Sequence, residues 1–217
     1  MNTNEDEAIV DLRFNVRGKT ILADHGYALY SALCGQVPTL HHATWCAIHP
    51  IRGQRLVNGS IRLRSGSAVV LRVPCSQIAQ VLPLAGSTLV LGGSSIILRA
   101  PTVEPLRPSA ALDARNVVIK LTNVALTDKE TIDKIALERA FLAELRRQLD
   151  AMGVRADPSI RGRQQVSVGG KRILGYSVRL LGLSKPDSLL VQCRGLGGKR
   201  HMGCGVFSPT ITEERKS

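Results

Sequence analysis

Val10-Asp-Leu-Arg-Phe-Asn-Val-Arg17 alternates apolar and polar residues at every step. A period of two puts Val10, Leu12, Phe14 and Val16 on one face, the pattern of a half-buried strand. Just beyond it, Asp24 stands where it can cap a helix carrying Tyr27, Tyr30, Leu33 and Cys34 on one face. The chain then passes Pro38 into a polar, His-rich loop, followed by strands at 61–63 and 67–73. A short helix at 76–84 and a strand pair around Gly92-Gly93 complete the order β-α-β-β-α-β. Pro101, Pro105 and Pro108 mark a break, after which the order repeats. Asn116–Leu121 reads as a strand, and Thr127-Asp-Lys-Glu130 as a capping box opening a long helix. Leu137, Phe141, Leu145, Leu149 and Met152 give that helix its stripe, and Gly153 ends it. Gln165–Val168 and Arg172–Leu181 flank a Gly169-Gly170 hairpin turn. Ser184-Lys-Pro-Asp187 starts a short helix running to about Cys193, and Gly205–Phe207 reads as a last strand. The fold class expected is α+β, as two tandem ferredoxin-like (RRM-like) βαββαβ domains. Their spans are 1–100 and 114–217, with a Pro-rich linker at 101–113; a single larger α+β domain is the structural alternative.

The charge balance names a class of partner. Twenty-nine Lys and Arg stand against 17 Asp and Glu, a net +12 that points to nucleic acid or an acidic membrane surface. Residues 1–110 hold 10 basic and 6 acidic residues, and residues 111–217 hold 19 and 11, so the excess leans to the second half. Aromatic content of 3% argues against a broad base-stacking platform and for backbone and shape contacts. No apolar run approaches transmembrane length, and the acidic Asn4-Glu-Asp-Glu7 does not resemble a signal peptide. Cys34, Cys46, Cys75, Cys193 and Cys204 are odd in number and lack C-x-x-C pairing, so they read as reduced thiols of a cytoplasmic protein with no membrane partner.

Two segments carry the candidate chemistry. Gly195-Leu-Gly-Gly-Lys-Arg-His-Met-Gly-Cys-Gly-Val-Phe207 interleaves five glycines with a basic triplet. Glycine lets backbone N–H groups approach an anion, and Lys199 and Arg200 add fixed charge, so the loop suits phosphates. It lacks the Gly-Lys-Ser/Thr ending of a Walker loop and the N-terminal position of a dinucleotide fingerprint. A glycine-rich turn between two elements is the structural alternative. Arg161, Arg163, Lys171, Arg172 and Arg179 crowd the second-half hairpin, and Arg146-Arg147 lies on the long helix, as candidates for gripping a duplex.

The other segment is the histidine loop. His25, His41, His42 and His49 fall within 25 residues, and an imidazole acts as acid or base near neutral pH. His25 suits the helix start and His49-Pro50 an apolar, structural run. Tyr27 and Tyr30 read as core residues, one hydroxyl of which could reach a scissile phosphate. Lys19, Arg52, Arg55, Arg62 and Arg64 flank the same region as a possible backbone track. Cys46-x-x-His49 with His41 or His42 matches no closed four-ligand zinc spacing well, so a metal-free, cofactor-free site is expected.

These strings resemble a known family. The glycine-rich G-L-G-G-K-R-H-M-G-C-G-V-F after two ferredoxin-like patterns is similar to the CRISPR-associated repeat endoribonucleases of the Cas-six family. D-H-G-Y-A-L-Y-S-A-L at 24–33, P-T-L-H-H at 38–42 and I-H-P-I-R-G at 48–53 look like its myxobacterial-type variant. The resemblance implies tandem domains that bind a CRISPR repeat stem-loop, cut at its base and stay on the product with other effector-complex subunits. It implies a catalytic histidine on or just after the first helix, where His41 matches best, His42 next and His25 third. Tyr27 or Tyr30 matches the family's tyrosine, and Arg52 or Arg55 stands in for its lysine. Gly195, Gly197, Gly198, Gly203 and Gly205, with Lys199, Arg200 and His201, carry over as the RNA-contacting loop.

The function expected is therefore metal-independent RNA cleavage by 2′-hydroxyl attack, giving a 2′,3′-cyclic phosphate and a 5′-hydroxyl. A non-catalytic repeat-binding subunit is the first alternative, and an unrelated RNA-binding structural protein, such as a ribosome-associated one, is the second.

Overall fold

A computed structural model describes residues 7–121 and 134–210. They form two compact units. The first runs to Leu106 and takes in Val166–Ile173 and Lys199–Gly203; the second comprises Arg107–Gln165, Leu174–Gly198 and the chain from Cys204.

In chain order the first unit holds β1 (Ile9–Arg17), β2 (Thr20–Leu22), α1 (Gly26–Gln36), β3 (Ala47–Ile48), β4 (Gln54–Arg55), β5 (Ser60–Arg62), β6 (Ala68–Pro74), α2 (Ile78–Val81), β7 (Thr88–Leu91) and β8 (Ser94–Pro105). The main sheet has the order β3-β6-β1-β8-β7. Without the added edge strand β7, its β1-α1-β3-β6-α2-β8 succession and antiparallel pairing are ferredoxin-like. The alternation of β1 sends Val10, Leu12 and Phe14 into the core, beneath Leu29 and Leu33 of α1. Gly92 and Gly93, at φ +55° and +87°, supply the two left-handed positions that a tight β7–β8 hairpin requires. β2, β5 and β4 make a separate three-stranded sheet on which Arg55 and Arg62 stand exposed, with Arg52 and Arg64 beside it.

The second unit repeats the plan with β9 (Leu112–Val117), α3 (Lys134–Ala151), β10 (Asp157–Val168), β11 (Lys171–Leu181), α4 (Lys185–Arg194) and β12 (Ser208–Pro209), in the sheet order β10-β11-β9-β12. Phe141, Leu145 and Leu149, one helical turn apart, seat α3 on Leu112, Tyr176, Val178 and Phe207. Gly169 and Gly170, at φ +55° and +79°, turn the β10–β11 hairpin as the sequence indicates. The Ser184 hydroxyl accepts the Asp187 N–H at 3.2 Å and caps α4.

Several local expectations need correction. Asp24 does not cap α1: His25 holds the N-cap position without a side-chain cap, and the Asp24 carboxylate accepts the Ser167 N–H at 2.9 Å. The buried face of α1 is Leu29, Tyr30 and Leu33, whereas Tyr27 is 45% exposed. Pro101 and Pro105 lie within β8 rather than in a linker, on an end where β1 pairs them to its first half. The first strand of the second half begins at Leu112, four residues ahead of the sequence reading, because Leu112 and Ala114 already alternate inward. The Thr127–Glu130 capping box lies outside the described residues. No helix among the described residues is long and apolar enough to cross a membrane.

Candidate active site

The histidine loop is shaped by its anchors. α1 stops at Gln36, Pro38 opens a 3-10 turn to Leu40, and the buried Leu40 side chain pins that turn to the core. Full burial of such a side chain stabilises by about 1.5–3 kcal/mol. His41 follows at once, its N–H donating to the Pro38 carbonyl at 3.0 Å, and the Ala43 N–H donates to the Leu40 carbonyl at 3.1 Å. Between them His42 is forced to φ +62°, a left-handed conformation costing a non-glycine residue about 1–2 kcal/mol. Its N–H donates to the Tyr30 hydroxyl at 3.2 Å, which holds the strained backbone in place.

Tyr30 is the hub. Its ring lies 6.5 Å from that of His41 at an interplanar angle of 18°, and His41 meets His42 edge-on at 4.0 Å. A third imidazole, His201, packs on Tyr30 at 4.6 Å. His41 and His42 are exposed, and His201 is half-buried. Burial pushes the Tyr30 phenol above its ordinary value, and burial, then Lys199 and His42, pulls His201 below that of a free histidine.

The segment that brings His201 in is the Arg200–Met202 3-10 turn. Met202 inserts into the core of the first unit, and Lys199 enters the turn at φ +62°. Among the described residues His42 and Lys199 are the only non-glycines at positive φ, and both border this cluster. Gly26, the first residue of α1, lies so close to the Met202 carbonyl that a Cβ there would overlap it.

The other predicted residues have distinct fates. Tyr27 stands exposed on α1, and Tyr30, three residues on, is the tyrosine that meets the histidines. His25 is 2% exposed: its Nε2 accepts the Ile51 N–H at 2.9 Å, so Nδ1 carries the hydrogen and donates to the Leu22 carbonyl at 2.9 Å. Both nitrogens are thus occupied in fixing the loop before β4, which removes His25 as third catalytic candidate. His49 sits 3.4 Å from Asp11, a structural position as the sequence indicates. Burial pushes the Cys46 thiol up to about 12, which disfavours the thiolate a zinc site needs. Among the described residues no three of His, Cys, Asp and Glu converge as ligands.

The glycine loop divides between the units. The N–H groups of Gly195, Gly197, Gly198 and Gly205 donate to the Val191 carbonyl, Gln148 Oε1, the Val118 carbonyl and the Asn116 carbonyl at 2.7–2.9 Å. Gly203 donates to the Arg200 carbonyl at 3.2 Å. These amides bind the protein's own chain, and the glycines at 197 and 205, at φ +74° and +66°, leave no space for a Cβ beside the Val118 and Leu196 carbonyls. Of the loop's basic side chains, Lys199 and Arg200 are half-exposed, with the Arg200 Nε buried. Arg161 and Arg163 on β10 and Lys171 and Arg172 opening β11 are exposed, as are Arg146 and Arg147 on α3. Arg147 is clamped by Glu144 through two bonds of 2.7 Å.

Residues 10–212 match the family described as Cas6 Crispr. The chain belongs to the Cas6 family. A protein of Myxococcus xanthus (strain DK1622) named CRISPR-associated endonuclease Cas6 is 38% identical over 200 residues, covering 92% of this chain and 81% of that protein. Among solved structures, "An RAMP protein binding different RNA substrates" aligns at TM-score 0.64 and 12% identity over 93% of this chain and 98% of its own. A structure from work on a Cas6-related gene of Pyrococcus furiosus aligns at TM-score 0.62 and 14% identity, over 96% and 100%. At such identities these neighbours speak to the fold alone. The Cas6 resemblance and the tandem ferredoxin-like fold expected from the sequence are borne out. Sequence reasoning missed that His201 joins the histidine loop, 171 residues from its neighbour Tyr30; the only local sign is a glycine at the first position of α1.

Proposed function

We propose that this chain binds the stem-loop repeat of a CRISPR precursor transcript and cuts it as a metal-independent endoribonuclease. The observation that carries the reading is the imidazole cluster around Tyr30, next to Lys199 and Arg200, in a Cas6 chain whose 38%-identical relative is named an endonuclease. His41, exposed beside a buried anchor, is the acid–base residue, with His42 as its alternate. Tyr30 sets the loop's backbone. Lys199 and Arg200 contact phosphate near the cut, and Arg161, Arg163, Lys171, Arg172 and Arg146 contact the duplex. The ribose 2′-hydroxyl attacks the adjacent phosphorus, the bond to the 5′-oxygen breaks, and the products are a 2′,3′-cyclic phosphate and a 5′-hydroxyl. Because the nucleophile belongs to the substrate, no water has to be activated by an ion. The processed RNA stays bound, and the protein enters an effector complex with it.

His41→Ala should lower the cleavage rate by about 10²-fold or more while repeat binding stays within a few-fold. A repeat with deoxyribose 5′ of the scissile phosphate should bind and remain whole, and excess chelator should leave cleavage of the native repeat intact. Wild-type rates from His41→Ala would transfer the role to His42. Cutting of the deoxy substrate, or loss of activity in chelator, would end the mechanism.

A further inference from the structure

Cleavage by 2′-hydroxyl attack needs a proton removed at one oxygen and another delivered at a second. A single imidazole can do both only in sequence, whereas two imidazoles in opposite protonation states can act together. The fold assembles more than one. His201 arrives from the far end of the chain on a turn locked by the buried Met202 and lies 4.6 Å from Tyr30, the ring that also faces His41. The environments differ: His41 and His42 are exposed, and His201 is half-buried. α1 and β3 pack against its turn. From α1 it is faced by Tyr30, and the charged or titratable groups acting on it are His42 of the loop ahead of β3 and Lys199 of its own turn.

Resting on the endoribonuclease reading above, we propose that His201 is a second acid–base residue of this site, the base that takes the 2′-hydroxyl proton while His41 acts as acid. In the step, the 2′-oxygen forms its bond to phosphorus as its proton passes to the free nitrogen of neutral His201. The bond from phosphorus to the 5′-oxygen breaks, and protonated His41 gives that oxygen its proton. The two histidines end with exchanged protonation states, which solvent resets. The surroundings suit this division, since burial, and after it the neighbouring Lys199 and His42, keep His201 neutral to lower pH than a free histidine.

The test separates this role from ring packing alone. His201→Phe keeps a ring against Tyr30 but cannot take a proton, and His201→Gln keeps polarity without basicity. Both should cut a native repeat about 10²-fold more slowly or worse, with RNA affinity within a few-fold of wild type. The wild-type pH–rate profile should fall on the acid side with a midpoint below about 6.5, and both variants should lose that limb. Added imidazole should restore part of the rate to His201→Ala. A His201→Phe protein with wild-type rate and acid limb overturns the proposal and leaves His41 standing. Wild-type rates from His41→Ala, with His201→Phe inactive, would instead remove the His41 assignment, and a wild-type protein that binds but never cuts removes both.

Discussion

Asp11 and Arg72 sit directly opposite each other on β1 and β6, and the guanidinium reaches the carboxylate through bonds of 2.7 and 2.8 Å. Arg72 is only 2% exposed, so this is a buried ion pair, with His49 3.4 Å from the same carboxylate. Burial opposes the charge on Asp11, yet His49 and Arg72 outweigh it and hold the carboxyl well below the usual range. Burial pulls His49 down as well. Both shifts act in one direction. As pH falls below about 6.5 the unfolded chain protonates His49 before the folded one does, and stability declines. Below about 4 the same happens at Asp11, whose contribution is complete above its unfolded value and lost through its folded one. Asp11→Asn should therefore cost about 3–5 kcal/mol at pH 7.5 in urea unfolding, because Arg72 is left buried without its carboxylate. Asp11→Leu combined with Arg72→Met should recover much of that loss, since apolar isosteres of a buried pair need no desolvation. A loss under about 1 kcal/mol for Asp11→Asn would show the pair to be solvated in practice.

At the scale of elements, α1 offers two glycines with opposite expectations. In an isolated helix either would gain about 1 kcal/mol on replacement by alanine. Gly35 is exposed with nothing within 4 Å of its missing Cβ, so Gly35→Ala should stabilise by up to about that amount. Gly26→Ala should do the reverse, because its Cβ would overlap the Met202 carbonyl and push the His201 turn away. A loss of about 1–3 kcal/mol is expected from such overpacking, with cleavage falling further than the loss of stability explains. Equal stabilisation by the two variants in thermal melts would mean that the turn does not rest on α1. The contrast also marks what the sequence could show. The alternation in β1, the glycine pairs at 92–93 and 169–170 and the Ser184 cap depend on neighbours within a few residues, and they were legible. The Asp24 cap was not, since its carboxylate answers to Ser167, 143 residues away. Nor was His201, whose partner Tyr30 belongs to the opposite end of the chain. The use of the glycine loop's amides was not legible either, because their acceptors, Gln148 and the Val118 and Asn116 carbonyls, lie far away in the sequence.

For the whole molecule, the count of 29 Lys and Arg overstates the number of cations free to meet an RNA. Arg13, Arg72, Arg147 and Arg179 are each within ion-pair reach of a carboxylate, at Glu104, Asp11, Glu144 and Asp113. A cation already neutralised in this way displaces few counterions when a phosphate approaches, whereas an unclamped one displaces roughly one. Arg72 is set apart by burial, but among exposed arginines position and charge type do not distinguish the two classes, and ion pairing does. Arg146 and Arg147 are adjacent and both exposed on α3, and only Arg147 is held by two 2.7 Å bonds, to Glu144. Repeat binding measured across a salt series should then separate the classes. Lys199→Ala should weaken binding to every sequence tested and flatten the log–log salt slope by about one, and Arg161→Ala with Arg163→Ala should flatten it by about two. Arg147→Ala should leave the slope nearly unchanged, because it removes a charge that Glu144 had cancelled and exposes that carboxylate. If Arg147→Ala instead flattens the slope as much as one of the unclamped arginines, Glu144 releases its partner to the RNA. The ion pairs of the free protein would then say nothing about its binding surface.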